Sequence, residues 1–178
     1  MSLDKVKDWL HRCYRCGNCK LFWGTFSPSC PSGEYFRFES YFPSGRIWIG
    51  KALYNKEIKW SPSITKKIFA CTLCGACSTN CKVDMKDHST DILEALRATA
   101  VTQGFGPMPE QKRFTQSLEE QHNPYNEPHD KRLSWLDSAG TATHDNKQTI
   151  LYFAGCTSSY RRPEIASATA KILEKSNQ

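Results

Sequence analysis

Apolar side chains recur at helical spacing through the first two thirds of the chain. The pattern predicts five helices, which cover residues 2–12, 47–58, 63–70, 87–103 and 107–121. The fourth is the clearest and starts at Asp87 or Ser89. We expect Ser63 to cap the third helix, and Phe114 and Leu118 to face inward in the fifth.

The last thirty residues have a different pattern. The apolar run at 149–154 predicts a buried strand, and a helix is predicted from Pro163 to Lys175. Strand, turn and helix form the first half of an α/β unit, but one strand and one helix cannot bury their faces alone. The fold class predicted is therefore mainly α, followed by a truncated first βα unit.

The predicted domain boundaries follow from changes in composition along the chain. Residues 123–147 hold two prolines, several Asn and Asp residues and a flexible run at 137–144, which indicate a tether and linker. We therefore predict a helical domain over residues 1–122, this linker over 123–147, and an incomplete second domain over 148–178.

Two sets of cysteines carry the chemistry. One set follows the spacing C-x2-C-x2-C-x3-C and consists of Cys71, Cys74, Cys77 and Cys81. The other is looser and consists of Cys13, Cys16, Cys19 and, after ten intervening residues, Cys30 before a proline. The first spacing is that of bacterial ferredoxins, in which four thiolates bind the four irons of a [4Fe–4S] cluster. The sequence therefore predicts two [4Fe–4S] clusters.

The assignment of the fourth ligand has two solutions. In two-cluster ferredoxins the distal cysteine binds the other cluster. That rule favours Cys13, Cys16, Cys19 and Cys81 for one cluster, and Cys71, Cys74, Cys77 and Cys30 for the other. The unswapped arrangement, with each triplet keeping its own distal cysteine, remains open. Gly17 and Gly75 occupy equivalent places in the triplets, where backbone N–H groups can approach sulfur.

Composition and charge limit the classes of protein to which this chain can belong. The chain has 178 residues, of which 39% are apolar, against roughly 45–50% in average globular domains. The core is therefore thin, and bound clusters would help to stabilise it. No export signal or transmembrane run is visible, so the thiols indicate a reducing cytoplasm. The net charge of +6 is scattered rather than clustered, and the anionic clusters would offset much of it, which argues against nucleic-acid binding.

Four stretches resemble a known family. They are residues 13–19 with Cys30-Pro31, residues 39–46, residues 71–81 and the segment Tyr152-Phe-Ala-Gly-Cys-Thr157 with Tyr160. Residues 123–126 and 132–136 also look like the family's segment between its domains. Together they resemble the N-terminal part of the iron–sulfur oxidoreductases of the heterodisulfide reductase D type, whose second domain is a cysteine-rich (CCG) domain.

The resemblance implies an α-helical ferredoxin domain that passes electrons to a CCG-type active site. Cys156 matches the first ligand of the CCG motif, whose other cysteines lie beyond Gln178. A further iron–sulfur centre is implied if another polypeptide supplies the rest of that domain. The partners implied are redox subunits, with a cytochrome, flavoprotein or ferredoxin as donor. We expect a cytoplasmic chain, or one peripheral on the cytoplasmic face of a membrane complex, that is not catalytic alone.

Two other classes of protein are weighed against an electron carrier. A zinc-binding structural or interaction module would use cysteine pairs, and two triplets with distal cysteines do not divide into pairs. A protein that uses clusters only as structural staples would need one cluster, whereas two make a conduit. The sequence therefore favours electron transfer, and iron per chain is the quantity that separates these classes.

Overall fold

The protein is described from a computed structural model, which covers residues 2–22, 24–25, 27–85, 88–139 and 150–176. The chain forms two compact units, Met1–Pro109 and Glu110–Gln178. Trp23 and Phe26, the alternative helix start at Asp87, and part of the predicted flexible run and strand (residues 140–149) lie outside the described residues. No helix in the described ranges is both long and apolar enough to cross a membrane.

The first unit is helical. Its 3₁₀ helices are Leu3–Val6 and Glu39–Tyr41, and its α-helices are α1 (Lys7–Leu10), α2 (Pro31–Phe36), α3 (Pro43–Tyr54), α4 (Pro62–Phe69), α5 (Ala76–Asn80) and α6 (Ser89–Thr102). Helix α6 packs against the N-terminal 3₁₀ helix and against α3, α4 and α5. Ile92, Leu93 and Leu96 of α6 are almost fully buried, as their helical spacing predicts. The core of this unit therefore surrounds one helix.

The predicted helices are present with shifted ends. Helix α3 starts at Pro43, four residues before the predicted start, because proline is favoured in the first turn of a helix. Ser61, not Ser63, caps α4, and its hydroxyl accepts the backbone N–H of Ile64 at 3.3 Å. The predicted N-terminal helix is a 3₁₀ turn followed by the short helix α1.

The second unit is smaller. Its helices are α7 (Pro109–Gln121), the 3₁₀ helix His129–Leu133, α8 (Trp135–Ala139), α9 (Cys156–Tyr160) and α10 (Pro163–Ser176). Trp135, Ala139 and Ala166 form its buried cluster. Asn123 is fully buried, and its side chain bonds the backbone of residues 121, 125 and 127, which fixes the turn after α7.

Two predictions for this unit are wrong. Residues 150–154 form no strand: Leu151 is 91% exposed and Phe153 is 82% exposed. A strand needs a neighbour to accept its hydrogen bonds, and the described residues supply none, so the βα unit is not formed here. Phe114 and Leu118 of α7 do not face inward, since 42% and 49% of each is exposed.

Gly45, in the first turn of α3, lets the backbone at Glu39 and Ser40 pack closely against the helix. A Cβ at this position would overlap the backbone carbonyl of Glu39, which cannot rotate away as a flexible side chain would. We expect Gly45→Ala to lower the free energy of unfolding of the first unit by about 1–3 kcal/mol, measured by thermal denaturation. Gly155→Ala is the matched control, because a Cβ there meets nothing within 4 Å. Equal stability of the two variants would contradict the prediction.

Candidate iron–sulfur sites

The two cysteine triplets adopt the same backbone conformation. The residue after each middle cysteine is a glycine with positive φ, 85° at Gly17 and 80° at Gly75. The residue before each middle cysteine is also left-handed, with φ of 57° at Arg15 and 52° at Leu73. Non-glycine residues rarely adopt this region unless the surrounding structure requires it. Each triplet is therefore a tight loop that turns its thiols to one side.

The eight thiols line two cavities. The first, called site A, is lined by Cys13, Cys16, Cys19 and Cys81. The second, called site B, is lined by Cys30, Cys71, Cys74 and Cys77. These are the sets that the swapped arrangement predicts, while ligation itself stays a prediction. Pro43, the first residue of α3, lines both cavities.

Each site has one exposed thiol. Cys16 of site A and Cys74 of site B are exposed, whereas Cys30 and Cys77 are buried. Burial raises the pKa of Cys77 to about 12 and the pKa of Cys19 to about 11. These thiols are therefore protonated in the absence of a metal. Because the thiolate is the ligand, binding of iron must release their protons.

Polar groups contact the sulfur atoms of site B. The backbone N–H of Gly33 and the hydroxyl of Ser32 lie 3.4 Å and 3.5 Å from the Cys30 sulfur. The backbone N–H of Leu73 donates to the Cys71 sulfur at 3.4 Å. Hydrogen bonds to sulfur are one of the means by which proteins set the potential of an iron–sulfur cluster.

Two arginines lie behind site B. Arg46 is fully buried, and it donates to the Lys67 carbonyl at 2.7 Å and to the Ser32 hydroxyl at 2.8 Å, both of which are neutral. Its Nη1 has no hydrogen-bond partner among the described residues. Arg97 donates to the carbonyls of Phe69 and Cys71, and its burial, with Arg46 nearby, lowers its pKa.

The sites therefore fit an anionic metal cluster. A buried cation without a counter-charge is strongly unfavourable. Four thiolates around a [4Fe–4S] core leave a net negative charge, which would compensate Arg46. The donor set is also suitable, because thiolates are the ligands that these clusters use. No three Cys, His, Asp or Glu side chains among the described residues converge on a point where a single ion could bind.

A carboxylate lies behind site A. Ser44 is 1% exposed, and its hydroxyl donates to Glu39 at 2.9 Å. Glu39 also pairs with Lys20. Partial burial would raise the pKa of Glu39, but the contacts with Lys20 and Ser44 outweigh it and lower the pKa, so the carboxyl is ionised at neutral pH. Ser44 also acts to lower the pKa of Cys19, although the larger effect of burial raises it.

Comparison with known proteins identifies the cysteine-rich segment. Residues 9–85, which include all eight thiols of both sites, match the family described as the 4Fe-4S dicluster domain. The matched segment thus coincides with the part of the first unit that contains sites A and B.

The full chain also has relatives. It is 30% identical to the D-type subunit of the Dihydromethanophenazine:CoB--CoM heterodisulfide reductase of Methanosarcina barkeri, over 93% of this chain and 42% of the relative. The B-type subunit of a fumarate reductase (CoM/CoB) of Methanothermobacter marburgensis is 25% identical over 63% of this chain and 22% of its own length. A probable iron-sulfur-binding oxidoreductase of Bacillus subtilis is 29% identical over 67% of this chain and 18% of its own length.

These matches confirm the resemblance predicted from the motifs. The chain spans about 42% of the length of the heterodisulfide reductase subunits that it matches. No solved structure matches the chain significantly.

Cys156, the ninth cysteine, lies apart in the second unit. It is the first residue of α9, and Arg132 donates to its sulfur at 3.8 Å. Arg132 also donates to the His122 carbonyl at 2.6 Å, and its Nε is buried without a partner among the described residues. The structure therefore places a cation beside Cys156, and a ligand role for this thiol stays a prediction.

Sequence reasoning found all eight thiols of the two sites but missed the polar residues behind them. Arg46, Ser32, Ser44 and Arg97 have no diagnostic spacing, because their contacts depend on how α2, α3 and α6 pack. The only sequence signal was that Ser44 and Arg46 lie in the stretch 39–46, which resembled the family.

Proposed function

We propose that the dicluster domain holds two [4Fe–4S] clusters and relays electrons within a heterodisulfide-reductase-like oxidoreductase. Cys13, Cys16, Cys19 and Cys81 would bind one cluster at site A, and Cys30, Cys71, Cys74 and Cys77 would bind the other at site B. The observation that supports this proposal is that each of these sets of four thiols lines one cavity.

When bound, each cluster would accept and release one electron at a time. The chain's own residues would hold the two sites close together, since Pro43 belongs to both walls. Buried Ile92, Leu93 and Leu96 exclude water from the core behind the sites. The exposed cysteines, Cys16 and Cys74, leave one corner of each site within reach of a redox partner.

The relatives are named as subunits of reductases, which supports redox partner subunits for this chain. We infer that the electron donor is a cytochrome, a flavoprotein or a ferredoxin, and that the chain works in the cytoplasm or at the cytoplasmic face of a membrane complex. The acceptor would be a CCG-type active site, with Cys156 as its first ligand. The remaining CCG cysteines would come from sequence that follows this segment or from another polypeptide.

Iron and acid-labile sulfide per chain test this function. Protein purified without oxygen is expected to contain about eight of each, because two cubanes hold four irons apiece. It should be brown, with broad visible absorbance. Cys156→Ser is the control, since this variant keeps all eight thiols of sites A and B and should keep the same iron content. Colourless protein that contains zinc instead would overturn the proposal and favour a structural module.

A further inference from the structure

A serine lines each site and contacts a charged side chain behind it, and the two charges are opposite. At site A the hydroxyl of Ser44 donates to Glu39 at 2.9 Å. At site B the contacts run from Cys30 through Ser32 to Arg46, over 3.5 Å and 2.8 Å. One serine hydroxyl therefore lies between the carboxylate of Glu39 and site A, and another lies between the guanidinium of Arg46 and site B.

The charges also set the direction of the hydroxyl hydrogens. Ser44 donates its single hydrogen to Glu39, so this hydroxyl has no hydrogen left for a sulfur of site A. Arg46 donates to Ser32, which leaves the hydrogen of Ser32 for the Cys30 sulfur or for the Tyr41 carbonyl at 3.1 Å. The serine hydroxyl of site B can therefore donate to a thiolate, whereas that of site A donates to a carboxylate.

Solvent screens the two sites unequally. Arg46 is 0% exposed, and Arg97, which is partly buried, donates to the backbone of Cys71 at the same site. The cation that lines site A, Arg15, is exposed, and Lys20 is already paired with Glu39. Buried charges act through a lower effective dielectric constant than exposed ones, so the cationic field is stronger at site B.

We propose that these contacts give site B a higher reduction potential than site A, so that electrons enter at site A and move to site B. Reduction adds one negative charge at a site, and a buried cation or a hydrogen bond to sulfur stabilises that charge. One electron leaves site A and arrives at site B, and no bond or proton changes. The donor to site A would be the cytochrome, flavoprotein or ferredoxin. The inference rests on the proposed function.

The test compares each site in isolation, in the full chain. Cys13→Ala with Cys16→Ala leaves only site B with four thiols, and Cys71→Ala with Cys74→Ala leaves only site A. Redox titration followed by electron paramagnetic resonance gives one potential for each variant. The expected result is that site B is reduced at the higher potential. Equal potentials, or a higher potential at site A, would overturn the inference.

Charge substitutions then test the cause. Glu39→Gln is expected to raise the reduced-to-oxidised ratio of site A at a fixed potential by about tenfold, and Arg46→Gln to lower that of site B by about tenfold; for one electron each change equals about 59 mV. Glu34→Gln and Arg37→Gln are the controls, because these residues form an exposed pair on and just after α2. If Arg46→Gln does not fold, Arg97→Gln tests the same direction at site B.

The results separate this inference from the proposed function. Protein without iron would overturn both. Two loaded clusters whose potentials are unaffected by Glu39→Gln and by either arginine variant would overturn the inference alone. A purely structural role of Glu39 and Arg46 would change iron retention without shifting the two potentials in opposite directions, and that outcome would also count against it.

Discussion

Replacing Cys81 together with Cys16 is expected to leave one intact [4Fe–4S] site, whereas replacing Cys81 together with Cys74 is expected to leave none. In the first variant both lost thiols line site A, so site B keeps its four thiols. In the second variant each site loses one thiol. Alanine is the substituent in both, because serine oxygen could still bind iron.

The measured quantities are iron, sulfide and the signal of the reduced cluster in electron paramagnetic resonance. We expect about four irons in an intact cubane after Cys16→Ala with Cys81→Ala, and no intact cubane after Cys74→Ala with Cys81→Ala. The unswapped arrangement reverses these two results. Each double variant removes two thiols, so their comparison controls for the general cost of losing ligands.

The mirror pair tests Cys30 in the same way. Cys74→Ala with Cys30→Ala should preserve site A, and Cys16→Ala with Cys30→Ala should preserve neither site. Cys30 caps α2 by accepting the N–H of Gly33, so its loss also removes a helix cap. Loss of both clusters in all four double variants would contradict the assignment and would indicate that the domain loads its clusters only as a unit.

Removal of iron is expected to destabilise the first unit by several kcal/mol, on the order of the contribution that structural metals make to small domains. The four thiols that line each site would then no longer be joined through a metal cluster. Arg46 would remain buried with neutral partners only. For a domain of this size we expect the melting temperature to fall by roughly 10–20 °C.

The measurement is circular dichroism with temperature, before and after an iron chelator under anaerobic conditions. Hydrogen exchange should show faster exchange in α3 and α6, with α8 and α10 of the second unit unchanged. Arg46→Met removes the buried charge, so this variant should lose less stability on chelation than the wild type. A wild-type chain whose melting temperature does not change on chelation would show that the clusters have no structural role.

The sequence predicted the N-terminal helix, α3, α4 and α6 because their apolar residues repeat at 3.6 positions, whereas the short helices α2 and α5 were not predicted. It predicted the eight thiols because iron–sulfur ligation requires fixed spacings. It could not predict that Arg15 and Leu73 adopt left-handed conformations, since neither residue type favours them. The burial of Arg46 could not be predicted either, because helical spacing does not distinguish a buried arginine from an exposed one.

The wrong predictions share a physical cause. Leu151 and Phe153 belong to an apolar run that predicts a buried strand, but burial requires a neighbouring sheet or helix layer. Phe114 and Leu118 lie on the apolar side of α7, and the described part of the second unit leaves that side about half exposed. An apolar pattern shows which face of a helix or strand could be buried. Whether that face is buried depends on a neighbouring element that packs against it.

Pro43 lines both sites, and this shared wall has an evolutionary consequence. Repeated motifs in one chain usually diverge separately, because each copy has its own surroundings. Here a substitution at Pro43 alters the surroundings of both copies at once, so neither can be tuned at that position alone. A descendant that abandoned one set of cysteines would still need this residue for the other set. We therefore expect relatives that have lost one of the two cysteine motifs to retain the proline.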